Sequence, residues 1–230
     1  MQLSLFSLCA GALLVKRAYE YPKRSWRIFA LDVSKQGLSA TLTHGVNTFA
    51  AVILENQSSH GDGCDWYFLN FIFDVVVVMG ITFVIHSMIT AWAERNEVVS
   101  LQSGVYLSVH DSRYIYMYSY DDLDKHINYR VFLIQLFVWL LIIAVAKVIQ
   151  FAIEIHFSTF LIDVSIACLQ WMNPHPDLKV AAVVIVFPAV MNVIQFWIQD
   201  NFLQGTAYIE EQKRKKKNAD TENHELHVFE

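Results

Sequence analysis

The chain has 230 residues, 55% of them apolar and 17% charged, with a formal charge of −5. A soluble domain sits near ~45–50% apolar and ~25% charged. The shift is moderate on average because the charges are confined to loops and ends, and the long apolar blocks between them exclude an ordinary soluble domain. Three cysteines, Cys9, Cys64 and Cys168, are too few for a disulfide scaffold. The net charge says little about partners because it is unevenly spread, and no nucleic-acid partner is expected.

Taken in chain order, Leu3–Val15 is apolar but short, and Lys16 and Arg17 follow it. A secretory signal places its positive charge before the apolar stretch; the reverse order here predicts a short first span with the N-terminus lumenal. A basic connector, "KRAYEYPKRSWR", leads into a second span over Ile28–Leu54. The acidic loop "ENQSSHGDGCD" (Glu55–Asp65) has no Lys or Arg. Trp66–Ala93 is a third span, with one acid, Asp74, and one histidine, His86, in 28 positions.

Glu94–Arg130 is polar and rich in tyrosine, and predicts a loop lying on the bilayer surface. The apolar region Val131–Met172 is too long for one crossing, at ~1.5 Å per residue and ~60 Å in all. The turn "NPHPD" (Asn173–Asp177) precedes a last span over Lys179–Leu203. The tail then carries Lys213, Arg214, Lys215, Lys216 and Lys217, a topology signal and a basic surface for anionic lipid at ~1 kcal/mol per residue.

About 20 apolar residues cross a ~30 Å hydrocarbon layer as a helix. Positive-inside bias puts both basic segments in the cytosol and Glu55–Asp65 in the lumen. An even number of crossings must separate the basic segments, so Phe157–Met172 does not cross. It extends the fourth helix into the lumen or lies on the membrane. The fold class is therefore all-α: a polytopic membrane helix bundle of five transmembrane helices, N-terminus lumenal and C-terminus cytosolic. Residues 1–205 make the bundle, with a cytosolic loop at 94–130, and residues 206–230 make a polar, basic tail.

Polar residues inside the spans fall on stripes. At 100° per residue, Asp32, Lys35, Gln36, Ser39, Thr43 and Asn47 lie within roughly 120° of one another, with His44 beside them. Asn70 and Asp74 are one turn apart; Lys147, Gln150 and Glu154 share a face; so do Asn192, Gln195 and Gln199, near Asp200. Facing lipid, such groups would go unpaired at several kcal/mol each, so the stripes are expected to face one another. Depth pairs Asp74 with Lys147, and puts Asp32 and Asp200 within reach of Lys35 or Arg27. His86, on the opposite face from Asn70 and Asp74, is given no role.

Structural glue is the plain reading of the amides, and for the charged set function and structure are equally open. His60, Asp62, Cys64 and Asp65 form a lumenal group that a polar loop explains. Cys64 meets Cys168 only if the fourth helix reaches the lumen. No Cys-x-x-Cys pair, His-Glu-x-x-His helix, phosphate loop or nucleophile elbow is present. No cofactor, metal or catalytic residue is expected, and the chain is read as a non-enzyme with membrane lipids for surroundings.

The segments "WRIFALDVSKQ" (Trp26–Gln36), His44 with Asn47, "NFIFD" (Asn70–Asp74), "NPHPDLK" (Asn173–Lys179) and "DNFL" (Asp200–Leu203) together resemble the STIMATE family over roughly residues 10–205. That family comprises multi-pass proteins of the endoplasmic reticulum in animals and of the vacuolar membrane in fungi. The resemblance implies a regulator of store-operated calcium entry, acting at junctions between endoplasmic reticulum and plasma membrane through the calcium sensor called stromal interaction molecule. It places the chain in the endoplasmic reticulum membrane, with the vacuolar membrane as the alternative. The sequence departs from the family at "SGVYLS", which keeps Gly104 and Tyr106 of a Gly-x-Tyr-Gly run without the second glycine, and in its short tail and the Tyr-rich insert Arg113–Tyr120. The alternative function is a small transporter or membrane-embedded enzyme that uses the intramembrane charged cluster.

Overall fold

The computed structural model describes residues 2–20, 23–57, 62–108, 123–204 and 214. Among these every regular element is helical. Six helices carry the fold: α1 (Gln2–Tyr19), α2 (Trp26–Gln57), α3 (Gly63–Arg95), α4 (Tyr129–His156), α5 (Ser158–Leu169) and α6 (Pro176–Leu203). By length and apolarity α3, α4 and α6 can each cross a membrane. At 32 residues α2 is long enough as well, but its polar stripe lowers its average.

Side-chain partners show the path of the chain. Lys16, Arg24, Asp32 and Asp200 meet at one end of the bundle, called here the near end. Asp62, Asp65 and Lys179 meet at the far end. Hence α1, α3 and α6 run toward the near end, while α2 and α4 run away from it. The bundle is wet inside and oily outside. Asp32, Lys35, Gln36, Ser39 and Asn47 are each at most 5% exposed, whereas Phe49, Val76, Met88, Phe137, Val148 and Phe160 are among the large apolar side chains on the surface. A water-soluble protein would invert this arrangement; in hydrocarbon it lets the buried charged groups find protein partners.

Local sequence sets the ends. The Ser25 hydroxyl accepts from Ile28 N–H at the start of α2, 3.3 Å. Asp62 and Asp65 form a reciprocal capping box at the start of α3. Asn128 caps α4, and Pro176 takes the first turn of α6, where its missing N–H costs nothing.

Two helices carry wide π-helical turns. In α3, Asp74–Val78 is π-helical, with Met79 N–H donating to Asp74 O. In α6, Ala182–Val186 is π-helical, with Phe187 N–H reaching Ala182 O. The second lies just before Pro188, whose ring would otherwise strike the carbonyl of Val184. The first starts at Asp74 itself.

Two expectations about the connections change. Of the two alternatives for the fourth apolar region, one continuous helix is excluded. The region breaks at Phe157 (φ −106°, ψ 18°), and α5 folds onto the first half of α3 through Ile162 on Trp66 and Leu69. The loop after α3 does not simply lie on the bilayer surface. Val99, Val105, Tyr106 and Leu107 are buried with Ile28, so this stretch enters the near end between α2 and α4. Gly104 makes the entry turn at φ 74°, where a Cβ would be strained. The Tyr-rich stretch 113–120 lies outside the described residues.

Candidate functional site

The near end is built around Arg24, which is buried. Its Nε and Nη2 donate to Glu20, 3.0 and 2.6 Å. Its Nη1 donates to Asp32 Oδ2, 2.8 Å, and to Asp200 Oδ1, 3.1 Å, and Nη2 also reaches Asp200 Oδ2, 2.9 Å. One planar fork thus joins the loop after α1, α2 and α6, a geometry that a lysine cannot reproduce. Burial alone would lower the Arg24 pKa; its bonds to Glu20 and the charges of Asp32 and Asp200 outweigh that and hold it above the ordinary value.

Other groups close the remaining valences. Lys16 Nζ lies 2.8 Å from Asp200 Oδ2 and donates to Asn201 Oδ1, 2.6 Å. Gln36 and Gln204 donate to Asp200, 3.2 and 2.8 Å. The Tyr106 hydroxyl donates to Asp32 Oδ1; burial, with that carboxylate beside it, raises the phenol well above its usual pKa. Lys35 Nζ donates to Gln135 Oε1, 2.8 Å, and lies 4.6 Å from the Tyr106 ring centroid. Gln135 in turn donates to the carbonyls of Gln102 and Val105, 2.8 and 2.9 Å, which holds the entering loop. Lys16, Arg24 and Lys35 thus balance Glu20, Asp32 and Asp200.

A second polar centre lies deeper. Lys147 Nζ donates to Asp74 Oδ1, Asn47 Oδ1 and Gln150 Oε1, three acceptors for three protons. Asn47 Nδ2 donates to Asp74 Oδ2, so lysine, carboxylate and amide close a ring across α2, α3 and α4. Gln150 continues to Glu154 Oε1, 2.8 Å, and to the Asn70 carbonyl, 3.3 Å. The Asn70 side chain donates back to the Trp66 carbonyl, 3.0 Å.

Between the two centres lies a cavity of about 350 Å³, walled by α1, α2, α3 and α6. Asp74 and Asn47 line its deep end and Gln199 its near end. His44 and Asn192, both half-buried, also line it.

At the far end Lys179 Nζ is 2.9 Å from Asp62 and 2.7 Å from Asp65. Burial would raise the Asp62 carboxyl, but Lys179 and its bonds with Asp65 hold it below the usual range. Cys64 and Cys168 are thiols, not a disulfide. His60 lies outside the described residues. Among the described residues no group of three His, Cys, Asp or Glu side chains gathers as metal ligands.

A bundle whose ionised groups are turned inward and joined helix to helix accords with what comparison finds. The model of the STIMATE family matches residues 64–205. The chain belongs to the STIMATE family. It is 25% identical over 202 residues to a vacuolar membrane protein of Saccharomyces cerevisiae, covering 84% of this chain and 71% of the relative. No solved structure matches it.

Against this family core, the residues singled out in the sequence fall into three groups. Asp32, Lys35, Gln36 and Asp200 belong to the near-end network. Asn47, Asn70, Asp74 and Lys147 belong to the deeper centre. His44 and Asn192 belong to the cavity. They are not one cluster. The expected partners of Asp32 and Asp200 also differ: Arg27 is exposed, and Lys35 donates to Gln135, so Arg24 and Lys16 hold the two carboxylates. Lys213 and Lys215–Lys217 lie outside the described residues, and Arg214 is exposed. His86, expected to be idle, stands edge-on to Trp139 at 5.7 Å.

Sequence reasoning missed Lys16, Arg24, Tyr106 and Gln135 as site residues. Lys16 and Arg24 read as topology signals because they sit just beyond apolar runs. For Tyr106 one signal was available: its spacing from Gly104, a glycine that the entry turn requires.

Proposed function

We propose that this chain is a non-enzymatic, multi-pass endomembrane protein that serves as an adaptor for another membrane protein. The role is that of a store-operated calcium entry regulator working through a sensor of the stromal interaction type. The observation that supports this most directly is the near-end network, where Arg24 and Lys16 are spent on Glu20, Asp32 and Asp200 while Lys35 is held by Gln135. Groups so bound fasten chain segments; they have no room to bind and turn over a substrate. What the network holds rigid is the near end of the bundle, with the loop after α3 tucked into it.

The near end is cytosolic in this reading. It carries the exposed Lys23 and Arg27 and the start of the basic tail, and positive-inside bias favours that side. With α1 and α2 counted, the alternating helices make five crossings. Membership of the family supports the adaptor reading, and the yeast relative, a vacuolar membrane protein, favours the vacuolar membrane over the endoplasmic reticulum as the compartment.

Two measurements test it. A tagged full-length chain is expected on an internal membrane, with its C-terminal tag protected by an intact organelle only if the orientation is wrong. Deletion of the gene in a cell with store-operated entry is expected to reduce calcium influx after store depletion. Unchanged influx with unchanged reticulum calcium would remove the calcium-entry role.

A second reading, a small transporter, rests on one observation: the cavity reaches the Asp74 carboxylate. The folded double variant Asp74→Asn with Lys147→Met separates the two. It restores function to deleted cells if the pair only fastens helices, and fails to if the pair handles a ligand.

A further inference from the structure

The deeper cavity has a feature that the adaptor role does not use. Asn192, Gln195 and Gln199 lie at i, i+3 and i+7 on α6, so all three face one side, and all three line the cavity. Among the described residues their side chains have no hydrogen-bond partner, although Gln199 is only 5% exposed. Thr43 of α2 lines the same cavity and is equally unpartnered. Amides left unpaired at hydrocarbon depth cost several kcal/mol each. The charged groups of the other stripes found protein partners; this stripe faces open volume.

The walls define what fits. No Lys or Arg lines the cavity, and its one carboxylate, Asp74, already accepts from Lys147 and Asn47. A phosphate or carboxylate headgroup would therefore enter without a counter-charge, and a cation would have to displace Lys147. The rest of the lining is apolar and aromatic, including Phe6, Phe71, Ile143 and Phe196. The lining residues that reach the outside are Phe6 and Thr41, so the mouth lies between α1 and α2 and opens on the acyl-chain layer. A volume of about 350 Å³ is at the small end of ligand sites, enough for a compact headgroup and the carbons next to it.

We propose that this cavity binds a membrane lipid with an uncharged hydroxyl- or amide-bearing headgroup. The amides of Asn192, Gln195 and Gln199 hydrogen-bond the headgroup, and the tail leaves past Phe6 and Thr41. The site is independent of the calcium-entry reading, because it needs only the bundle.

The test uses the full-length chain in phosphatidylcholine vesicles containing a photoactivatable, alkyne-tagged diacylglycerol, with a phosphatidic acid of the same tail in parallel. Diacylglycerol is expected to label the protein strongly, at peptides from α1, α2 and α6, and phosphatidic acid about tenfold less. Asn192→Leu with Gln195→Leu removes the hydrogen bonds at similar volume and is expected to reduce diacylglycerol labelling about tenfold, the worth of one or two such bonds. Thr43→Phe fills the space and is expected to do the same while raising the melting temperature, which guards against loss by misfolding. Equal labelling by both lipids, labelling unmoved by either variant, or labelling no greater than that of an unrelated helical bundle would overturn the proposal.

Discussion

The near-end network and the deeper Asp74–Lys147 centre contain the same kinds of groups, yet one is sealed and the other is open. Around Arg24 every N–H and nearly every carboxylate oxygen has a partner, and the loop carrying Tyr106 closes the top. Around Lys147 the ring is complete, but its Asp74 and Asn47 members also form the floor of a cavity. The difference lies in what covers them. The near end is capped by a chain segment that Gly104 turns inward; the deeper centre borders the cavity enclosed by α1, α2, α3 and α6. Charge pairing is thus common to both, and the covering decides which is a fastening and which is a potential binding floor.

The largest test of this contrast is Arg24→Met. It leaves Glu20, Asp32 and Asp200 with Lys16 and Lys35 only, and breaking a buried pair costs ~3–5 kcal/mol. Thermal unfolding in detergent is expected to fall steeply, with Arg24→Lys rescuing little because one ammonium cannot span three carboxylates. Lys147→Met is expected at the lower end of that range, ~3 kcal/mol, because Asn47 still donates to the freed Asp74. Asp74→Asn in the same chain should restore most of the loss; equal stability of single and double variants would mean that the pair does not interact.

Tyr106→Phe removes one bond to a buried carboxylate and is expected to cost ~1.5–3 kcal/mol. Its amide-exchange signature is specific, since residues 98–107 should lose protection while α6 keeps its own. The smallest effect belongs to the far end. Asp62 is well exposed, so Asp62→Asn is expected to cost under ~1 kcal/mol. The sign in pH follows from its lowered pKa. The contribution is fully present above the ordinary value of 3.8 and fades only as pH falls through the lower, folded value. Melting temperature should therefore be no more sensitive to pH between 5 and 7 in the parent than in the variant, and more sensitive below ~4.

The parts of this molecule that repeat along a helix were legible in the sequence. The stripe from Asp32 to Asn47 could be drawn from 100° steps alone, and the Asp74–Lys147 pair followed from counting residues to the span ends. What periodicity does not carry is which partner a charge chooses once several are near. Lys16 and Arg24 sit at the edge of apolar runs, where a cation at the lipid surface and a cation folded into the bundle leave the same trace. The break at Phe157 was equally silent, since neither Gly nor Pro marks it and α5 is as apolar as α4. Tyr106 was hidden by its loop, because burial there depends on a turn far from the helix it caps.

The wide turn at Asp74–Val78 has a consequence for how α3 tolerates change. A turn holding one residue too many offsets everything after it by about 100° relative to an unbroken helix. The carboxylate of Asp74 and the rings that Phe83 and His86 lay against α6 and α4 therefore share one helix only because of that surplus valine. Trimming the Val75–Val78 run by one would leave the composition and hydropathy of the span almost untouched, yet swing its second half off its neighbours like a key cut one notch out of step.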